Sequence, residues 1–209
     1  MAVPLGRSRI ALGLFALLFV TALAMDDTVA AWAARCRAPM LDGLVGIINP
    51  IGSGVTLLGV CAVLAAVSWR LGWPRLREAA WLAALAFASA GLVEFTLKHV
   101  VGRPRPDAAV ASAGLLGPSF APDVDSFPSG HATSVFAVAA VLGAYYPRLR
   151  WPLYALAAAI ALGRVYLERH YLSDIVAGAA LGMMAAAWLY HHRQAVPGGM
   201  IREPAVESC

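Results

Sequence analysis

The stretch Arg164-Val165-Tyr166-Leu167-Glu168-Arg169-His170-Tyr171-Leu172-Ser173-Asp174 sets charged and polar groups between two hydrophobic runs. On a helix, His170 and Asp174 would share a face and come close enough for a hydrogen bond. A carboxylate on one ring nitrogen fixes the histidine tautomer and leaves the other nitrogen free as a nucleophile. Arg164 brings a fork of donors suited to phosphate oxygens. The same residues read equally well as interfacial polar groups at helix ends in a membrane protein. The flanking sequence has to decide between the two.

The flanking runs first decide the fold class. The chain has 209 residues, of which 60% are hydrophobic and 13% charged, and its mean hydropathy is +0.71. Soluble domains are about half apolar and about a quarter charged. The composition is that of an integral membrane protein with room for about six spans and short loops. The expected fold is therefore all-α, a polytopic six-helix transmembrane bundle. The net charge of +4 lies in the loops, with no basic stripe and interleaved aromatics of the kind that binds nucleic acid. Cys36, Cys61 and Cys209 are far apart and fit neither a disulfide framework nor a zinc site.

Outward from the opening stretch, a sixth span runs from Ser173 to Tyr190 and a fifth from Trp151 to about Leu167. Residues 194–209 form a polar tail, expected to be disordered, after a single domain over 1–193. Upstream, Arg148 and Arg150 make a basic turn, and a fourth span runs from near Pro128 to Tyr146. Lys98 to Phe127 holds Pro104, Pro106, Pro118 and Pro122 and cannot be one helix. The stretch from Asp107 to Asp125 within it reads as a lid or a plain connector. A third span runs from about Glu78 to Leu97, with Glu94 inside it facing protein or water. Asn49-Pro50-Ile51-Gly52-Ser53-Gly54 opens a second span that ends near Trp69, and Thr28 to Arg37 reads as a short interfacial helix. The first apolar run, Ile10 to Met25 behind Arg7 and Arg9, reads as an uncleaved first helix. Ala22-Leu23-Ala24 before Asp26 also gives it the look of a cleaved signal.

Positive charge gathers at the N-terminus, the Arg70–Arg77 loop, the Arg148–Arg150 turn and the C-terminal tail. The positive-inside rule puts both termini in the cytoplasm. The segments rich in chemistry then meet on the outer face, at the membrane–water interface. Small residues at Gly178 and Gly182 on the sixth span let a neighbouring helix approach.

Two further motifs fall on that face. Lys98 and Arg105 lie seven positions apart, Arg105 being followed by Pro106, on a proline-stiffened backbone able to clamp an anion. They also read as cations at lipid headgroups. Phe127-Pro128-Ser129-Gly130-His131 opens the fourth span, where free N–H groups bind phosphate, Ser129 adds a hydroxyl and Gly130 allows close approach. His131 is placed to act as a general acid. A plain helix cap is the structural alternative.

Taken together, the motifs resemble the type 2 phosphatidic acid phosphatase superfamily of lipid phosphatases. Its pattern is Lys-x6-Arg-Pro, then Pro-Ser-Gly-His, then Ser-Arg-x5-His-x3-Asp. Lys98, Arg105 and Pro106 match the first motif. Pro128 to His131 match the second. Arg164, His170 and Asp174 match the third, with Gly163 where the pattern has serine. The resemblance covers roughly Glu94 to Gly182. It implies that His170 attacks phosphorus, Asp174 orients it, and His131 protonates the leaving oxygen. It implies too that Lys98, Arg105, Ser129, Gly130 and Arg164 hold the phosphoryl oxygens, without metal or cofactor. Arg103 also precedes a proline, but spacing assigns the clamp to Arg105. The implied substrate is a lipid phosphate or diphosphate in a bacterial inner membrane, with undecaprenyl diphosphate the first choice. Phosphatidylglycerol phosphate, phosphatidic acid and lipid A follow. A lipid phosphotransferase of the same family remains open, as does a non-catalytic transporter or scaffold. A transporter, however, would place its ionisable groups near mid-membrane.

Overall fold

The computed structural model describes residues 5–111 and 114–195, and the helices it contains are set by apolar runs broken at Pro, Gly and Asn. In chain order they are α1 (Leu5–Arg35), α2 (Pro39–Ile48), α3 (Gly54–Arg70), α4 (Pro74–Val101), α5 (Gly130–Tyr145), α6 (Arg150–Tyr166) and α7 (Leu172–Ala195). A 3-10 turn, Asn49–Gly52, joins α2 to α3, and another, Pro147–Leu149, precedes α6. There is no strand among the described residues.

Among the described residues, three helices are long and apolar enough to cross a membrane: α1 over Leu12–Arg35, α4 and α7. The α2–turn–α3 segment makes a fourth if its 58° bend is taken as one broken span. The fold is that of an integral membrane protein. Helices α5 and α6 have 16 and 17 residues, which at the usual rise gives roughly 24 and 26 Å, short of a hydrocarbon layer of about 30 Å.

The segment Thr28 to Arg37, expected as a separate interfacial helix, instead continues α1 as far as Arg35. No proline or glycine falls between Thr28 and Arg35, so nothing breaks the helix across that stretch. The signal-like Ala22-Leu23-Ala24 junction lies inside the same helix. Most of the expected tail, from 196 onward, lies outside the described residues.

Helix α5 is the centre of the bundle. Ala137 and Val141 on it and Ile160 on α6 are almost wholly buried. Helix α7 lies against α5 because Gly178 and Gly182 have no side chains. A Cβ on Gly178 would stand 2.6 Å from the Ser129 carbonyl oxygen, and one on Gly182 would overlap the Thr133 carbonyl.

Between α4 and α5 the chain folds back on itself. Gly102 takes a left-handed φ of 56° at the end of α4 and accepts from Leu116 N–H at 3.0 Å. Arg105 N–H donates to Asp123 O, and Ser126 N–H to Arg103 O, each at 2.9 Å. This double return brings the first motif beside the second.

Candidate active site

The described residues of the three motifs meet where α4 and α6 end and where α5 and α7 begin. Ser129 is the N-cap of α5 and is fully buried. Its Oγ accepts from Ala132 N–H at 3.5 Å, and its own N–H donates to the Asp174 backbone carbonyl at 3.1 Å. Helix geometry leaves the N–H groups of Gly130 and His131 without intrahelical acceptors. A side chain at Gly130 would meet Glu94, since a Cβ there would lie 2.8 Å from Oε1 and 3.7 Å from Lys98 Nζ.

The cations gather around this helix start. Lys98 Nζ lies 2.9 Å from Glu94 Oε1 and 3.7 Å from Asp125 Oδ2. Arg105 makes a two-pronged contact to Asp125, Nε to Oδ1 at 2.8 Å and Nη2 to Oδ2 at 2.9 Å. Burial works to raise the Asp125 carboxyl, but the Arg105 fork and Lys98 outweigh it and hold it below the usual range. Arg164 Nη1 donates to Asn49 Oδ1 at 2.9 Å. His131, in the first turn of α5, is within electrostatic reach of Arg164, His170, Lys98 and Arg105.

His170 does not stand on a helix with Asp174. Helix α6 ends at Tyr166 and α7 starts at Leu172, so His170 belongs to the turn between them. Glu168, with φ of 57°, makes that turn. Glu168 N–H donates to Val165 O at 2.9 Å and Arg169 N–H to Arg164 O at 3.0 Å, the paired bonds of a Schellman closure. The expected helical hydrogen bond to Asp174 is accordingly not made: His170 Nδ1 lies 3.8 Å from Asp174 Oδ2, too far for one. Nδ1 sits instead 2.8 Å from the Ser126 carbonyl oxygen. A carbonyl can only accept, so Nδ1 carries the proton and Nε2 keeps its lone pair. Burial pushes the imidazole below its ordinary value of 6.5, against the raising pull of Asp174.

Asp174 is fully buried and serves as a hub. Its Oδ2 accepts from Ser126 Oγ at 2.6 Å and from Tyr171 N–H at 2.8 Å, and its Oδ1 accepts from Arg103 Nη1 at 2.6 Å. Arg103 also donates from Nη1 to Ser173 Oγ and from Nη2 to Asp26 Oδ2, each at 2.7 Å. Its guanidinium lies 4.1 Å from the centre of the Tyr171 ring. Asp26 reaches in from α1 and accepts from Ser173 N–H at 2.8 Å and Ser173 Oγ at 2.6 Å. From the sequence alone Arg103 reads only as a rival to Arg105, and nothing assigns Asp26, Ser126 or Asn49 to the site. Asp26 carried a signal, as a carboxylate directly after a long apolar run. Ser126 carried none.

Among the described residues, the fold is all-helical and these contacts gather the cations of the three motifs around the start of α5, beside a buried histidine. The profile of the PAP2 superfamily matches residues 79–197, more than half of the chain, and the chain belongs to that superfamily. It is 38% identical over 110 residues to a lipid A 1-phosphatase of Rhizobium johnstonii, a match covering 49% of this chain and 44% of the relative. The chain thus spans less than half the length of that relative. It is 30% identical over 143 residues to an undecaprenyl-diphosphatase of Sulfolobus acidocaldarius, covering 68% of this chain and 66% of the relative. The crystal structure of a PAP2-type phosphatidylglycerolphosphate phosphatase from Bacillus subtilis superposes with a TM-score of 0.68. It is 22% identical and the match covers 89% of this chain and 96% of that one, which establishes the shared fold.

Proposed function

We propose that this protein is a membrane phosphatase that hydrolyses a lipid phosphate or diphosphate through a phosphohistidine. The observation that carries the reading is the hydrogen bond from His170 Nδ1 to the Ser126 carbonyl, which leaves Nε2 of the neutral ring free to attack, with Lys98 and Arg164 within electrostatic reach. In the first step Nε2 attacks phosphorus, the bond to the leaving oxygen breaks, and that oxygen takes a proton from His131. In the second, His131 takes a proton from water as the water attacks phosphorus. The P–N bond breaks and phosphate leaves with His170 restored. Lys98, Arg105 and Arg164, with Ser129 and Gly130, stabilise charge on the phosphoryl oxygens in both steps. Asp174 acts through Ser126 and the Tyr171 N–H, holding the loop that carries His170.

The proposed layout has six spans, α5 and α6 included, in a bacterial inner membrane with both termini in the cytoplasm and the site on the outer face. The basic loops between spans support that orientation. Undecaprenyl diphosphate is the first choice of substrate. The named activities of the relatives keep lipid A and phosphatidylglycerol phosphate beside it, with phosphatidic acid. Transfer to a second lipid would use the same intermediate.

The test is phosphate release by the purified protein in detergent with chelator. The panel holds these four substrates, with and without an acceptor lipid. His170→Ala should be silent on whichever substrate the parent prefers, and release by that variant at the parental rate rules out the mechanism. Product formed only with acceptor present would make the protein a transferase.

A further inference from the structure

Asn49 belongs to none of the three motifs. It opens the four-residue turn Asn49–Gly52 between α2 and α3, where Asn-Pro reads as turn chemistry alone. The fold nonetheless buries it, leaving 7% of its surface accessible. Its Oδ1 accepts from Arg164 Nη1. A guanidinium only donates, so this bond fixes the amide with Oδ1 toward Arg164 and Nδ2 turned away. Asn49 Nδ2 is buried without an acceptor, and so is Arg164 Nε. Buried donors without partners are uncommon. Both belong to side chains already bonded to each other, and each is a free donor of the kind a phosphoryl group takes.

The backbone of α6 makes room for this arrangement. A Cβ on Gly163 would lie 3.2 Å from Asn49 Nδ2 and 3.3 Å from Val45 Cγ1, tight enough to displace the amide. Position 163 is also the one place where this chain departs from the three-motif pattern, having glycine where the pattern has serine. The turn that carries Asn49 is packed against the site, since a Cβ on Gly52 would come within 3.1 Å of His131 Cδ2.

We propose that Asn49 is a substrate-positioning residue. Oδ1 sets the guanidinium of Arg164, and the unpartnered Nδ2, for which Gly163 leaves room beside α6, donates to a phosphoryl oxygen held by that arginine. The proposal rests on the phosphatase reading above. Its ligand chemistry is a tetrahedral oxyanion, which lipid phosphate and free vanadate share.

The test uses the full chain in detergent with Asn49→Ala, Asn49→Asp, Gly163→Ser and the double variant Asn49→Ala/Gly163→Ser. Two readouts are taken: kcat and KM on the parent's preferred lipid, and the Kd of orthovanadate from the thermal stabilisation it confers, which needs no turnover. Asn49→Ala should raise KM and vanadate Kd by about tenfold or more, the loss typical of a hydrogen bond to a charged group. Asn49→Asp keeps the size and the Arg164 contact but turns a carboxylate toward the oxyanion, so it should lose more than alanine does. A purely structural bond predicts the reverse order. Gly163→Ser alone should weaken vanadate binding, yet in the Asn49→Ala background it should recover part of the loss.

The proposal is overturned if folded Asn49→Ala stays within about twofold of the parent in both readouts. It is equally overturned if the aspartate variant matches the parent, or if Gly163→Ser has the same effect in both backgrounds. An active parent with unchanged Asn49 variants removes this proposal alone. A parent that neither releases phosphate nor binds vanadate removes the phosphatase reading and this proposal with it.

Discussion

Arg103 and Arg105, two positions apart, are put to different uses. Arg105 faces Asp125, which remains partly open to solvent, whereas Arg103 is locked between Asp26 and the fully buried Asp174. Removing one partner of a buried charged pair typically costs about 3–5 kcal/mol. Arg103→Ala should therefore lower the thermal midpoint in detergent and lose activity with it. Arg105→Ala should keep its midpoint and lose about 10²–10³-fold in kcat, the usual effect of deleting one transition-state donor. Spacing in the sequence separated the two arginines, but the carboxylate that each one meets comes from elsewhere in the chain and could not be read. His170 gives a pH test. Its folded pKa lies below the ordinary 6.5, so the neutral imidazole persists as pH falls through 6.5. The acid limb of kcat/KM should have its midpoint below 6.5, and a midpoint at or above it contradicts the buried neutral imidazole. The unfolded chain takes up this proton near 6.5 and the folded one does not, so the His170 contribution to stability declines as pH drops below that value.

At the scale of elements, the apolar runs and their breakers located α3 to α7 to within a few residues, because Pro and Gly stop helices for local reasons. The turn after α6 was not legible in the same way. The i, i+4 spacing of His170 and Asp174 reads as helix, yet the Schellman closure at Glu168 takes His170 off it. Such a closure favours glycine at the left-handed position, and here the residue is glutamate. Glu168→Gly should raise stability by about 0.5–1 kcal/mol, seen as a higher midpoint in thermal unfolding. A lower midpoint would mean that the glutamate side chain contributes more than the backbone strain costs.

On the scale of the whole molecule, Asp26 fastens the first helix to the start of the last, two segments far apart in sequence. Composition shows that helices pack, but only tertiary contact shows which buried carboxylate meets which arginine. Asp26→Ala and Arg103→Ala should each destabilise the fold. The double variant should lose clearly less than the sum, since both remove one network, and additive losses would show the two residues to be independent. The unequal helix lengths have a further consequence. With α5 and α6 placed as spans, they are roughly 4–6 Å shorter than the hydrocarbon layer, and they carry His131 at the start of one and Arg164 near the end of the other. A bilayer meeting them must thin or dip locally to match. A lipid diffusing in the leaflet would then have its headgroup lowered toward the three motifs by the shape of the membrane itself, before any side chain touches it.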